Sequence, residues 1–227
     1  KIYAGILKVT NTPKTRHHMK LISILDDPRM PWMLPKILLE RRLYKGSYNG
    51  KTSLKFCLTT DVYQSFGSAD MPHESEHIGI FLERYAEMCR MFEIKSSLFF
   101  QGDLIPTFTE AVKNLQAEGH EIGIHGLHHE LWGREKWFLK DPWVHPLERK
   151  KNLKKIRDIL DQNEIKNVRA FRAPNLVVDL TTLKLLPEFG FEIDSSSPAM
   201  LGRKPITKIK DGLCRVPVSR DPMPHIQ

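Results

Sequence analysis

The stretch HEIGIHGLHHE, residues 120–130, crowds His120, His125, His128 and His129 into one short segment. Imidazole is both a common metal ligand and a proton-transfer group near neutral pH, so such a cluster can hold an ion or move protons. His125 and His129 are spaced i, i+4. If the chain leaves its strand in a helical turn, the two rings face one way and can share one Zn²⁺-like ion. His128 then points about 100° away around the turn, and His120 belongs at the other end of the apolar run. The alternative is a set of core and loop histidines. His73 and His77 have the same spacing at the head of a helix and read as a solvated first turn.

Other reactive side chains close apolar runs. Asp61 ends SLKFCLTTD, His125 ends HEIGIH, Arg172 ends VRAFR and Asp194 ends FEID. Hydrolysis by such a set needs an activated water, a sink for developing negative charge and a proton for the leaving group. A divalent ion on His125 and His129 would activate the water, and Asp61 could take its proton as general base. Arg172 would pair with Asp61 and orient it; the alternative is a structural ion pair at the rim. Asp61 itself, Asp70, Glu74 or the phenolate of Tyr63 could complete the ligand set. The tryptophans of LWGREKWFLKDPW (Trp132, Trp137, Trp143) suit stacking on sugar rings or a small satellite core.

These residues need a scaffold that brings strand ends together. From residue 54 onward, β-rich runs alternate with helical patterns. HIGIFLERYAEMCRMF, FTEAVKNLQAEG, LERKKNLKKIRDILDQN and DLTTLKLLPEFG are the helices, the last with Asp179 or a neighbour as N-cap and Gly190 as C-cap. SLKFCLTTD, SSLFFQG, HEIGIHG, VRAFRAP, FEIDSSS and LCRVPVS are six strands. Alternation of this kind implies parallel βαβ units, and in a parallel barrel the strand ends converge on one rim.

Composition narrows the class. No run of about 18 uncharged apolar residues is present, which excludes a spanning helix of the usual kind. The formal charge of +8 suits an anionic partner, yet no nucleic-acid motif accompanies it. RKKNLKK (149–155) reads as a solvated helix face. Cys57, Cys89 and Cys214 are odd in number and far apart, which points to a reducing, cytoplasmic compartment; Cys57 and Cys89 read as buried. Residues 1–53 fall outside the alternation and form an N-terminal extension, either packed across the barrel bottom or lying at a membrane surface as a peripheral contact. Asp26 and Asp27 in that segment read as a turn.

At the level of motifs the sequence resembles the polysaccharide deacetylases of carbohydrate esterase family 4, the NodB-like domains. LTTDV resembles the family's first motif, GHEIGIHGLHH its second, FRAPN its R-x-P motif, and FGFEIDSSSP the strand with its D-S-S. The resemblance covers roughly residues 54–220 in the right order. It implies an irregular (β/α)7 barrel over 54–227 and a metal-dependent hydrolase that removes an N-acyl group, acetyl in the first place, from an amino sugar. The implied partner is a cell-surface polysaccharide or its lipid-linked precursor, and the implied cofactor is Zn, with Co, Ni or Mn as alternatives. Asp61 and Arg172 take the catalytic positions and His125 and His129 the metal positions. Tyr63, Trp132, Pro174, Asp194, Ser195 and Leu213 take substrate positions, with Leu213 lining the acetyl pocket.

Two departures qualify that match. Val62 and Tyr63 stand where the family's second acid binds metal, and the last motif, a strand ending in a histidine, is not found before Gln227. His225 is the one histidine after Arg172. The expectation is that the seventh strand is missing from this sequence or is supplied by residues 1–53. A glycan-binding protein on a degenerate deacetylase fold is the alternative function.

Overall fold

The computed structural model describes residues 57–64, 74–134, 142–200, 206–209 and 212–220. The expectations for residues 1–53, Asp26, Asp27, Asp70, Trp137 and His225 lie outside the described residues, as does the side chain of Glu74. The chain divides into two compact units. One comprises residues 56–197 and 207–216 and carries every site residue discussed below. The other comprises 1–55, 198–206 and 217–227; its described part is a parallel pair, β6 (Pro198–Met200) with β9 (Val218–Arg220).

In the larger unit the elements run β1 (Leu58–Val62), α1 (Glu74–Met91), β2 (Ser96–Phe100), α2 (Thr109–Ala117), β3 (Glu121–Ile124), α3 (Pro146–Gln162), β4 (Ala170–Phe171), α4 (Leu180–Leu185), β5 (Ile193–Asp194), β7 (Thr207–Lys208) and β8 (Cys214–Arg215). The sheet order is β1-β2-β3-β4-β5-β8-β7. The first six are parallel and in chain order, as the alternation implies, while β7 pairs antiparallel with β8. The sheet is open at β1 and β7 among the described residues, the form of an irregular barrel. LCRVPVS is two strands rather than one: Pro217, which has no N–H to donate, separates β8 from β9.

Local chemistry explains the elements. All five residues of β2 are buried, which a parallel sheet covered on both faces requires. Helix α3 begins with Pro146 at its first turn. Asp179 caps α4 by accepting the Thr182 amide at 3.0 Å, and Gly190 at φ 72° ends the following 3₁₀ turn, both as expected. Leu153, Ile156 and Leu160 of α3 and Leu82, Tyr85 and Cys89 of α1 turn inward onto Leu98, Phe100, Ile122, Ile124 and Phe171.

Two expectations need correction. Arg149 is not part of a solvated face but is fully buried, donating to Asp179 at 2.6 Å, Thr182 at 3.0 Å and the Gly133 carbonyl at 3.2 Å. It satisfies loop and cap acceptors at the heads of two helices, while its neighbours Lys150, Lys151, Lys154 and Lys155 stay exposed. Cys57 is exposed rather than buried, because it precedes the edge strand β1; Cys89 is buried.

The register decides which side chains meet. Asp61, Phe99, Gly123, Ala170, Ile193 and Cys214 form one row across the parallel strands. Two residues further on, His125, Arg172 and Ser195 leave their strands on the same face as Asp61. Gly123 is required in this row: a Cβ there would lie 2.6 Å from the Phe99 ring and 3.1 Å from the Ala170 carbonyl. Gly123→Ala should therefore destabilise the protein by about 1–3 kcal/mol, measured by urea denaturation. A cost near zero would mean that the Phe99 ring is free to move.

His120 lies before β3, at the opposite end of the sheet from His125. It is buried, and its Nδ1 accepts the Ser96 amide at 3.2 Å. Burial, with Lys95 nearby, holds its pKa below 6.5. As pH falls through 6.5 the unfolded chain takes up a proton that the folded state refuses, so stability declines from about pH 7 downward until the folded pKa is passed. His120→Gln should flatten that decline in urea midpoints measured against pH. Parallel curves for variant and wild type would contradict this.

Candidate functional site

Arg172 follows β4 and is the hub of the site. Its Nη1 donates to Asp61 Oδ1 at 2.6 Å, and its Nη2 donates to Thr59 Oγ1 at 3.0 Å and Ser195 Oγ at 2.9 Å. The guanidinium carbon stands 3.9 Å over the Phe99 ring. A buried guanidinium is tolerated only when paired and hydrogen-bonded, and here β1 and the residue after β5 supply the partners. Its Nε is buried without a hydrogen-bond partner.

The backbone of Arg172 acts on a second group. Its carbonyl oxygen lies 2.9 Å from His125 Nδ1. A carbonyl only accepts, so Nδ1 carries the hydrogen and the lone pair of the neutral ring is on Nε2. That Nε2 is 3.9 Å from Asp61 Oδ2. Burial pushes the His125 pKa down to about 4, against the opposing pull of Asp61, so the ring is neutral at physiological pH. A neutral imidazole, fixed by a backbone carbonyl behind it and offering Nε2 forward, is the state a metal ligand needs.

His129 joins His125 by a different route from the one expected. The segment after β3 is not a helical turn: Gly126 has φ 73° and His129 has φ 61°. Glu130 ties the loop by accepting the Leu127 amide at 3.0 Å and the His128 amide. The two rings still meet, with centroids 5.1 Å apart. Tyr63 stacks on His129 at 4.1 Å and 18°, so an aromatic ring lies where the family pattern places a second acid. Two imidazoles with the Asp61 carboxylate beside them fit a divalent cation in part. No group of three or more His, Cys, Asp or Glu placed to hold a metal is found among the described residues.

The remaining sequence candidates divide. Ser195 is in the site as a partner of Arg172, and Pro174 is buried at the start of the turn that follows it. Asp194 is not: it alternates to the other side of the strand, where it is fully buried and accepts from Arg215 Nε at 2.7 Å and the Ser196 amide at 3.0 Å. Trp132 cannot stack on a sugar here, because it is 0% exposed and packs edge-on against Phe171. Leu213 is fully buried in the hydrophobic core. Sequence reasoning missed Thr59, whose place two residues before Asp61 puts it on the same face. It also missed a pair beside the site, His128 Nδ1 with Asp103 Oδ2 at 2.6 Å, where Gln101 Nε2 donates to Asp103 Oδ1 at 2.7 Å.

With this geometry in place, comparison with known proteins is decisive for the family. The family model described as polysaccharide deacetylase matches residues 80–193, half of the chain. The chain belongs to the polysaccharide deacetylase family. The matched part includes His125, His129 and Arg172 but not Asp61. Among solved structures, the chain is similar to one described as a putative polysaccharide deacetylase from Mycobacterium smegmatis (24% identity, 72% of this chain and 58% of that chain, TM-score 0.55). It is also similar to a CE4 family pseudoenzyme from Bacillus anthracis (18% identity, 60% and 40%, TM-score 0.45). A third is the peptidoglycan deacetylase PdaC from Bacillus subtilis (15% identity, 57% and 54%, TM-score 0.44). The chain thus spans less than two thirds of these proteins, and the likeness to the first is one of fold. No curated protein matches.

For this member of the polysaccharide deacetylase family, Arg172→Lys should cost about 1–3 kcal/mol in urea unfolding. One ammonium cannot reproduce the planar fork toward Asp61, Thr59 and Ser195, and buried acceptors are left unpaired. A neutral substitution would show that the fork is dispensable.

Proposed function

We propose that the protein is a metal-dependent hydrolase that removes an N-acetyl group from an amino sugar of a cell-surface polysaccharide or its lipid-linked precursor. The observation that carries this reading is the joint hold of Arg172 on Asp61 and His125, side chain on one and carbonyl on the other. Asp61 Oδ1 is engaged by Arg172, which leaves Oδ2 directed toward His125 Nε2 as the acceptor for a proton from the attacking water. His125 and His129 would hold the divalent ion, Zn in the first place, with Co, Ni or Mn as alternatives. When bound, such an ion supplies Lewis acidity toward water and the acyl carbonyl. Arg172 keeps the carboxylate fixed through the reaction, so no reorientation is needed at the transition state.

A glycan-binding protein without catalysis is the second reading. It is favoured by the Tyr63 ring on His129 and by the absence of a three-group metal set among the described residues.

Acetate release from chitooligosaccharides and peptidoglycan fragments, with zinc supplied, separates the two. The hydrolase reading expects turnover by wild type and a fall of about 10²–10⁴ in Asp61→Asn, which retains the shape of the side chain but not its proton acceptance. No acetate from wild type at any metal concentration would favour the binder, and full activity in Asp61→Asn would remove Asp61 as base. In zinc titrations followed by calorimetry, His125→Ala and His129→Ala should each weaken binding by about tenfold or more. Unchanged affinity would dissociate the pair from the metal.

A further inference from the structure

The segment that follows β2 is held on both sides. Gln101 donates its amide to the Val62 carbonyl at 2.9 Å, at the exit of β1. The next two amides turn the other way, to the histidine loop: Gly102 donates to the Gly126 carbonyl at 2.9 Å and Asp103 to the Leu127 carbonyl at 3.1 Å. Gly102 suits so close a seat, since a Cβ there would lie only 3.3 Å from the Gly126 oxygen and 3.3 Å from Ile156 Cγ1. Side chains repeat the span. Gln101, two residues after Phe99, leaves β2 on the face of Asp61 and is 3% exposed. Its Oε1 accepts the Gln64 amide at 3.1 Å, and its Nε2 donates to Asp103 Oδ1 at 2.7 Å. Asp103 Oδ2 lies 2.6 Å from His128 Nδ1. A carboxylate only accepts, so Gln101 and His128 both donate to it, and every bond of the chain has a fixed direction.

The two ends of this chain flank one pair of rings. Gln64 follows Tyr63, His128 precedes His129, and Tyr63 stacks on His129 at 4.1 Å. The backbone of His129, at φ 61°, is in a conformation that persists only where its surroundings hold it. Glu130 accepts the Leu127 and His128 amides, but that hold is internal to the loop. The bonds through Gln101 and Asp103 tie the loop to the exit of β1, whose strand carries Asp61.

We propose that Gln101 is a positioning residue of this site. Through Gln64 on one arm, and through Asp103 and His128 on the other, it sets Tyr63 and His129 in place against the strand of Asp61. Its consequence for zinc on His129 rests on the hydrolase reading, whereas the positioning itself does not.

The central bond can be reversed without a change of net charge. Gln101→Glu alone sets two carboxylates against each other, and Asp103→Asn alone offers one oxygen to two donors. The double variant exchanges donor and acceptor: the new amide donates to the new carboxylate, which still accepts the Gln64 amide, while the amide oxygen accepts from His128. All three variants are isosteric with wild type, and circular dichroism should match it. In the metal-free full chain, the His129 ring protons should show the upfield NMR shift of a ring stacked on tyrosine. Each single change should move that shift, and the double change should restore it. In calorimetric zinc titrations each single change should weaken binding by about three- to tenfold, with the double variant within about twofold of wild type. Charge alone predicts the opposite sign for Gln101→Glu, since added negative charge attracts the cation. Unchanged or tighter zinc binding by Gln101→Glu, unmoved His129 resonances in the single variants, or a double variant no better than the singles would overturn the inference. A wild type that takes up no zinc, with resonances that respond as expected, would sustain the positioning while the hydrolase reading fails.

Discussion

The fork of Arg172 is the constraint on which the site depends. One buried guanidinium draws on Thr59 and Asp61 from β1 and on Ser195 after β5, and rests on Phe99 from β2. The same residue's carbonyl fixes the tautomer of His125 after β3. Elements distant in sequence are thereby held in one geometry by a group that cannot leave without exposing unpaired acceptors and a buried charge. Gly123 belongs to the same arrangement, since only a residue without a side chain leaves room for the Phe99 ring beneath the guanidinium.

A second buried arginine organises the layer outside the sheet. Arg149 binds the Asp179 cap, Thr182 and the carbonyls of Val144 and Gly133, and so joins the heads of α3 and α4 to the segment that follows the histidine loop. Partial burial raises the Asp179 pKa, but Arg149 and the Thr182 amide favour its charged form more strongly, and the net shift is downward from the usual value. One arginine therefore holds the face with Asp61 and His125 together, and the other holds the surrounding rim.

Much of this was legible in the sequence. The alternation of strands and helices set the parallel order, and the reactive residues at run ends located Asp61, His125 and Arg172 on one rim. The N-cap of α4 followed from Asp179, and the end of the 3₁₀ turn after it from Gly190. What was not legible depended on partners distant in the chain. Asp194 ends its run as Asp61 does, but pleat parity, which shifts by one residue between strands, turns it to Arg215. Arg149 lies inside a lysine run, and only the fold shows that acceptors surround it. His125 and His129 meet as expected, yet through a loop with a left-handed His129 rather than a helical turn, because spacing alone does not fix backbone conformation. Trp132 has an aromatic face suited to sugars, but burial beside Phe171 removes that face from solvent.

The central claim is that Arg172 prepares Asp61 and His125 as one unit around a metal position. Anomalous diffraction at the zinc edge, from crystals of the full chain grown with zinc, tests it most directly. The account predicts zinc on His125 through Nε2, with His129 as a second ligand, the Asp61 carboxylate beside it and the Nδ1 bond to the Arg172 carbonyl retained. Zinc bound through Nδ1, or located away from this pair at saturating concentration, would contradict it.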